Sequence, residues 1–143
     1  MPRKILKINY DDELNFSLMG MATGLKDYRL AFEMNKALEI DLQRAADHIL
    51  IVGKNNSQIR YNRFQYFDSI GLTYTLISNK NQSSLMLPEL QMIDYLLLLE
   101  PPDENTAKEI IISLKKIKTI QAVFKFEIKD LKSRQNLLSE TAD

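Results

Sequence analysis

The run Tyr95-Leu96-Leu97-Leu98-Leu99 constrains this fold more than any other stretch of the chain. Residues 93–100 are apolar almost without interruption, the pattern of a strand covered on both faces, since an extended chain sends successive side chains to opposite sides. Pro101-Pro102 ends the run, because proline has no N–H to donate to a ladder. The fold must therefore supply apolar cover on two sides of one short strand.

The segments around it show how that cover can be built. Asp103 can cap a helix whose Ala107, Ile110, Ile111 and Leu114 form an apolar stripe, with Lys115, Lys116 and Lys118 near the negative end of its dipole. Residues 120–127 alternate as a final strand. Strand, helix and strand in this order predict a crossover, with the last two strands parallel in one sheet. Upstream, residues 5–10 read as a first strand, Asp11-Asp12-Glu13 as an acidic turn and 14–22 as a second strand. Thr23 offers a cap to a helix reaching Ala37 or Glu39, in which Leu25, Tyr28, Phe32, Asn35 and Leu38 recur at helical spacing and place Phe32 in the core. Further extended segments are expected at 42–45, 48–52, 60–67, 72–76 and 85–87. The turn compositions Gly53-Lys54-Asn55-Asn56, Asp68-Ser69-Ile70-Gly71 and Asn79-Lys80-Asn81-Gln82 separate them. A short third helix is expected over 129–138.

These elements predict the α+β class: a mixed, mostly antiparallel sheet of five to seven strands with two main helices on one face, in an elaborated ferredoxin-like layout. One domain is expected over residues 1–138, with a frayed polar tail at 139–143. Lys+Arg 19 balance Asp+Glu 19, so the molecule has no overall field to gather nucleic acid or anionic membrane. Cys 0 excludes disulfides, thiolate nucleophiles and Cys-bound zinc, and fits a reducing compartment. The charges at Asp11, Asp12 and Glu13 interrupt the early chain, so no signal peptide is expected. The longest apolar run is far short of the roughly 20 residues that cross a bilayer. A cytoplasmic protein without membrane association is the natural expectation.

Leading into the apolar run is Leu87-Pro88-Glu89-Leu90-Gln91-Met92-Ile93-Asp94-Tyr95. This segment resembles the signature of a family of uncharacterised bacterial proteins named for it, Ile-Pro-Glu-x-x-x-Val-Asp-Tyr (IPExxxVDY), with Leu87 and Ile93 as conservative variants. Leu25-Lys26-Asp27-Tyr28-Arg29-Leu30-Ala31-Phe32-Glu33-Met34-Asn35 resembles the family's amino-terminal helix, with Phe32 at an aromatic position. Leu131-Lys132-Ser133-Arg134-Gln135-Asn136-Leu137-Leu138 resembles its carboxy-terminal block. The resemblance thus spans nearly the whole chain, and it implies no known activity, cofactor or catalytic residue.

Two carboxylates and a phenol close in sequence, Glu89, Asp94 and Tyr95, are the candidate ligand site. Neighbouring carboxylates split their pKa values and a phenol can orient either, which suits acid/base work or a cation. In the structural reading Pro88 fixes a turn, Glu89 accepts from backbone N–H groups or pairs with a basic residue, and Tyr95 buries its ring while its hydroxyl ties to a carbonyl. His48, the only histidine, is read as a surface or hydrogen-bonded structural residue, with Asp47 beside it as the alternative orienting partner of a general base. Arg60, Tyr61, Arg63, Phe64 and Tyr66 combine aromatics that can stack on bases with guanidinium groups that can meet phosphates, with Phe67 and nearby lysines extending the set. No complete catalytic set is present, and neither metal nor cofactor is expected. The leading expectation is a non-enzymatic protein-interaction or dimerisation module, with a homodimer as its default form. A small-ligand or enzyme site around Glu89, Asp94 and Tyr95 comes second, and binding of RNA or single-stranded DNA third.

Overall fold

The computed structural model describes residues 14–81 and 84–138. The strand expected over 5–10, the acidic turn after it and the polar tail lie outside the described residues. In chain order the elements are β1 (Ser17–Thr23), α1 (Asp27–Leu38), β2 (Gln43–Val52), β3 (Ser57–Phe67), β4 (Thr73–Ser78), the two-residue pair β5 (Lys80–Asn81) and β6 (Ser84–Leu85), β7 (Tyr95–Glu100), α2 (Glu104–Lys115) and β8 (Ile120–Phe126). Two 3-10 turns follow, Ile128–Asp130 and Arg134–Leu137. They stand where a third α-helix is expected.

Six strands form one sheet in the order β2-β3-β4-β7-β1-β8, and every adjacent pair is antiparallel. Because β1 lies antiparallel between β7 and β8, those two strands run parallel, with α2 as their connection. The same counting makes β1 and β2 parallel, with α1 between them in the chain. Without the β3–β4 hairpin the order is β2-β7-β1-β8, that of a ferredoxin-like sheet built from two split β-α-β units. The fold is α+β, as the sequence predicts.

Alternation along β7 divides the core in two. Tyr95, Leu97 and Leu99 join Met19, Met21, Tyr74 and Leu76 beneath Leu30, Ala31 and Met34 of α1 and Ala107, Ile110 and Leu114 of α2. Leu96 and Leu98 face the other way, with Leu18, Tyr61 and Ile77. No helix covers that second face among the described residues. Its cover is irregular chain: Leu14 and Phe16 before β1, Met86 just before the signature, Leu87 and Ile93 within it, and Leu131 and Leu137 from the carboxy-terminal block.

The α2 stripe and its Asp103 cap, whose carboxylate accepts from the Thr106 N–H at 3.0 Å, form as expected. The α1 stripe is displaced. Tyr28 is 65% and Phe32 51% exposed, while Leu30, Ala31 and Met34 are buried. Two apolar stripes of helical period compete on α1: Leu30, Ala31 and Met34 pack on the sheet, and the exposed Phe32 takes cationic cover, with Arg29 at 5.6 Å and Lys36 at 5.3 Å from its ring centre. Gly20 lies inside β1, where a Cβ would come within 2.6 Å of a Phe126 ring carbon and 3.0 Å of an Ile93 methyl group. Only glycine lets those two side chains close over the β1 backbone.

Candidate functional site

The signature segment lies between β6 and β7 and is built around a residue outside it. Asn79, fully buried at the end of β4, donates its carboxamide N–H groups to the Leu90 and Ile93 carbonyls at 3.1 and 2.9 Å. Its side-chain oxygen accepts from the Leu87 N–H at 2.9 Å. Its backbone is held as well, donating to the Asp94 carbonyl at 2.9 Å and accepting from the Met86 N–H at 2.8 Å. One carboxamide thereby satisfies the inward backbone groups of an irregular loop, the condition for burying such a loop at all.

Inside that frame Leu87 to Leu90 close a turn, the Leu90 N–H donating to the Leu87 carbonyl at 2.9 Å. Pro88 occupies the second position of this turn, where its locked φ is preorganised. The turn points Glu89 at the carboxy-terminal block. Its carboxylate accepts from the Ser133 N–H at 2.9 Å and from the Ser133 hydroxyl at 2.5 Å. Partial burial alone would raise the Glu89 pKa, but the Ser133 hydroxyl and backbone donors outweigh it and hold the carboxyl below its ordinary value.

Asp94 and Tyr95 reach the opposite part of the chain. One Asp94 oxygen accepts from the Thr23 N–H at 2.8 Å, and the other pairs with the Lys80 ammonium at 2.7 Å. The Tyr95 hydroxyl donates to the Leu25 carbonyl at 2.7 Å, just before α1. Burial first, then the charges of Asp27 and Asp94, push the Tyr95 pKa up to about 12, so the phenol stays protonated as a donor. Asp94 and Tyr95 are thus neighbours, whereas Glu89 serves a different segment. The groove of about 350 Å³ beside the turn is lined by Glu89 and by apolar side chains including Met92, Phe124 and Phe126, but by neither Asp94 nor Tyr95.

His48 sits in a comparable role on the second face. Only 1% exposed, its Nε2 lies 2.7 Å from the Asn136 carbonyl, which requires the proton on that nitrogen, and Asn136 in turn donates to the Met86 carbonyl at 2.9 Å. Burial lowers the His48 pKa, the Asn136 bond opposes that, and the charge of Arg63 adds to the lowering. A bulge between Ala45 and His48 separates His48 from Asp47, whose carboxylate pairs with Arg44 at 2.6 Å.

The five aromatic and basic residues of β3 disperse. Tyr61 is 1% and Phe64 8% exposed, Tyr66 packs against Tyr74 with ring centres 5.6 Å apart, and the Arg63 Nε donates to the Ala46 carbonyl at 2.7 Å. Arg60 is the exposed member. Tyr61, Phe64 and Tyr66 are therefore turned into the sheet's own packing, while Phe67, which extends the set, is exposed. Among the described residues no three His, Asp or Glu side chains gather in a way that could hold a metal ion, and no helix is long and apolar enough to cross a membrane.

Sequence reasoning missed Asn79, Ser133 and Asn136, which do most of the holding. Asn79 stands in a stretch with the composition of an exposed turn, and Ser133 lies 44 residues from its partner. No family model matches the chain, and no curated protein matches it either.

Proposed function

We propose that this chain is a non-enzymatic, cytoplasmic protein-interaction domain of the IPExxxVDY family, in which the signature residues lock the fold instead of performing chemistry. The observation that carries this reading is the engagement of each signature side chain by another part of the chain: Glu89 by Ser133, Asp94 by Thr23 and Lys80, Tyr95 by Leu25. Leu25 and Ser133 belong to the other two segments behind the family resemblance, so the signature segment is bonded to both, through Tyr95 at one end and Glu89 at the other. A phenol with a pKa near 12 and a carboxylate held by two donors are poor acid/base groups at neutral pH. Meanwhile Met92 is 81% and Phe124 47% exposed beside that turn, an apolar surface of the residue types enriched at protein interfaces. The test is light scattering on the purified native protein, with analysis of whatever co-purifies before and after nuclease treatment. The expected result is a mass above 16.6 kDa, from a second copy or from a stoichiometric protein partner. A monomer that carries only a nucleic acid or a small molecule would contradict the reading.

A further inference from the structure

The sheet has two edges, and they are finished differently. On β2 the register breaks at a bulge between Ala45 and His48, and Arg44 and Asp47 lie at that break. Bulges and charges are the usual devices that keep an edge from pairing with another chain. On β8 the register with β1 shifts once as well, where Ala22 pairs with Ala122 and Thr23 with Ile120, but the residue at that shift, Gln121, is uncharged; from Ala122 to Phe126 the pairing is regular, and no described residue pairs with the outer side. Its one charged side chain, Lys125, is drawn to Glu104 at 3.4 Å and Glu127 at 3.7 Å on its own chain. The opposite face of the strand carries Phe124 and Phe126, with ring centres 6.1 Å apart, and Met92 and Leu90 extend that apolar strip past the strand.

We infer that a second copy of this chain occupies the β8 edge, the two β8 strands pairing antiparallel about a two-fold axis at Phe124. This rests on the interaction reading above and specifies its partner and surface. Three features favour a second copy over a foreign chain. The regular stretch is centred on Phe124, so full pairing places Phe124 against its own copy and the small Ala122 opposite the large Phe126, a self-complementary order along one strand. The strip holds no unpaired charge. The formal net charge of zero leaves no long-range repulsion between identical molecules. The product is one continuous sheet of twelve strands, with the two Met92–Phe124 strips joined on one side.

Because the chain has Cys 0, a single Phe124→Cys substitution on this exposed position reads the geometry directly. Residues facing each other across an antiparallel pair lie within disulfide reach. Mild oxidation of Phe124→Cys is expected to give a disulfide-linked dimer, while Phe67→Cys, more exposed but on β3, stays monomeric in denaturing gels. In light scattering the unsubstituted protein is expected near twice 16.6 kDa, and Phe124→Lys near the single mass with an unchanged circular dichroism spectrum. A dimer that survives Phe124→Lys, with no disulfide at position 124, overturns the β8 geometry and leaves the interaction reading standing. A monomer bound to a foreign protein does the same. A monomer that binds nothing overturns both.

Discussion

Replacing Asn79 with alanine would strand the buried Leu87 N–H and Ile93 carbonyl and take its donor from the part-buried Leu90 carbonyl. Each stranded buried group costs about 1–3 kcal/mol, so the expected loss for Asn79→Ala is about 3–5 kcal/mol in urea unfolding. A loss below about 1 kcal/mol would mean that the loop finds other donors. Phe32→Ala is expected to behave in the opposite way. Its ring is half exposed and held by Arg29 and Lys36, so the loss is about 1 kcal/mol or less, against the 3–5 kcal/mol or so typical of a core phenylalanine. By residue type alone both cases mislead: the asparagine looks like a surface turn and the phenylalanine like core. The flanking Arg29 and Lys36, one turn to either side of Phe32, were the available sign that its face is solvated.

At the scale of elements, β7 was legible because burial on both faces leaves no alternation to misread, and α2 because its cap, stripe and terminal lysines agree. The carboxy-terminal block was not. It covers the second face with one 3-10 turn, Arg134–Leu137, and its position depends on Glu89–Ser133 and His48–Asn136 links that span 44 and 88 residues. Such pairings leave no spacing in the sequence. The His48 link makes this block sensitive to pH. Burial places the folded pKa of His48 below its ordinary 6.5, so the unfolded chain takes up the proton first and protonation favours unfolding. The contribution of His48 is complete above pH 6.5 and is lost as pH falls from there toward the folded value. Urea midpoints measured down through this window are expected to fall, and to fall less steeply in His48→Gln. An equal slope in the variant would remove His48 from the coupling.

Over the whole molecule, the signature is the place where the two cores are joined. Its Leu87 and Ile93 pack under one face of the sheet, Tyr95 packs under the helices on the other, and its polar groups bind the segment before α1 and the carboxy-terminal block. The mostly antiparallel sheet and its helix layer followed from patterning, whereas the order of the strands and the lock depend on long-range pairings that only the folded chain displays. The most direct measurement of this claim is urea unfolding of Glu89→Gln, Tyr95→Phe and Ser133→Ala, alone and in pairs. A locking signature requires Glu89→Gln and Tyr95→Phe each to lose about 0.5–3 kcal/mol. Glu89 and Ser133 should be non-additive because they share one hydrogen-bonded pair, while Glu89 and Tyr95, with no partner in common, should add to within about 0.5 kcal/mol. Single variants as stable as the parent, or more stable, would contradict the account, because functional carboxylates are often held at a cost to stability and Glu89, Asp94 and Tyr95 would then be the place to look for a ligand.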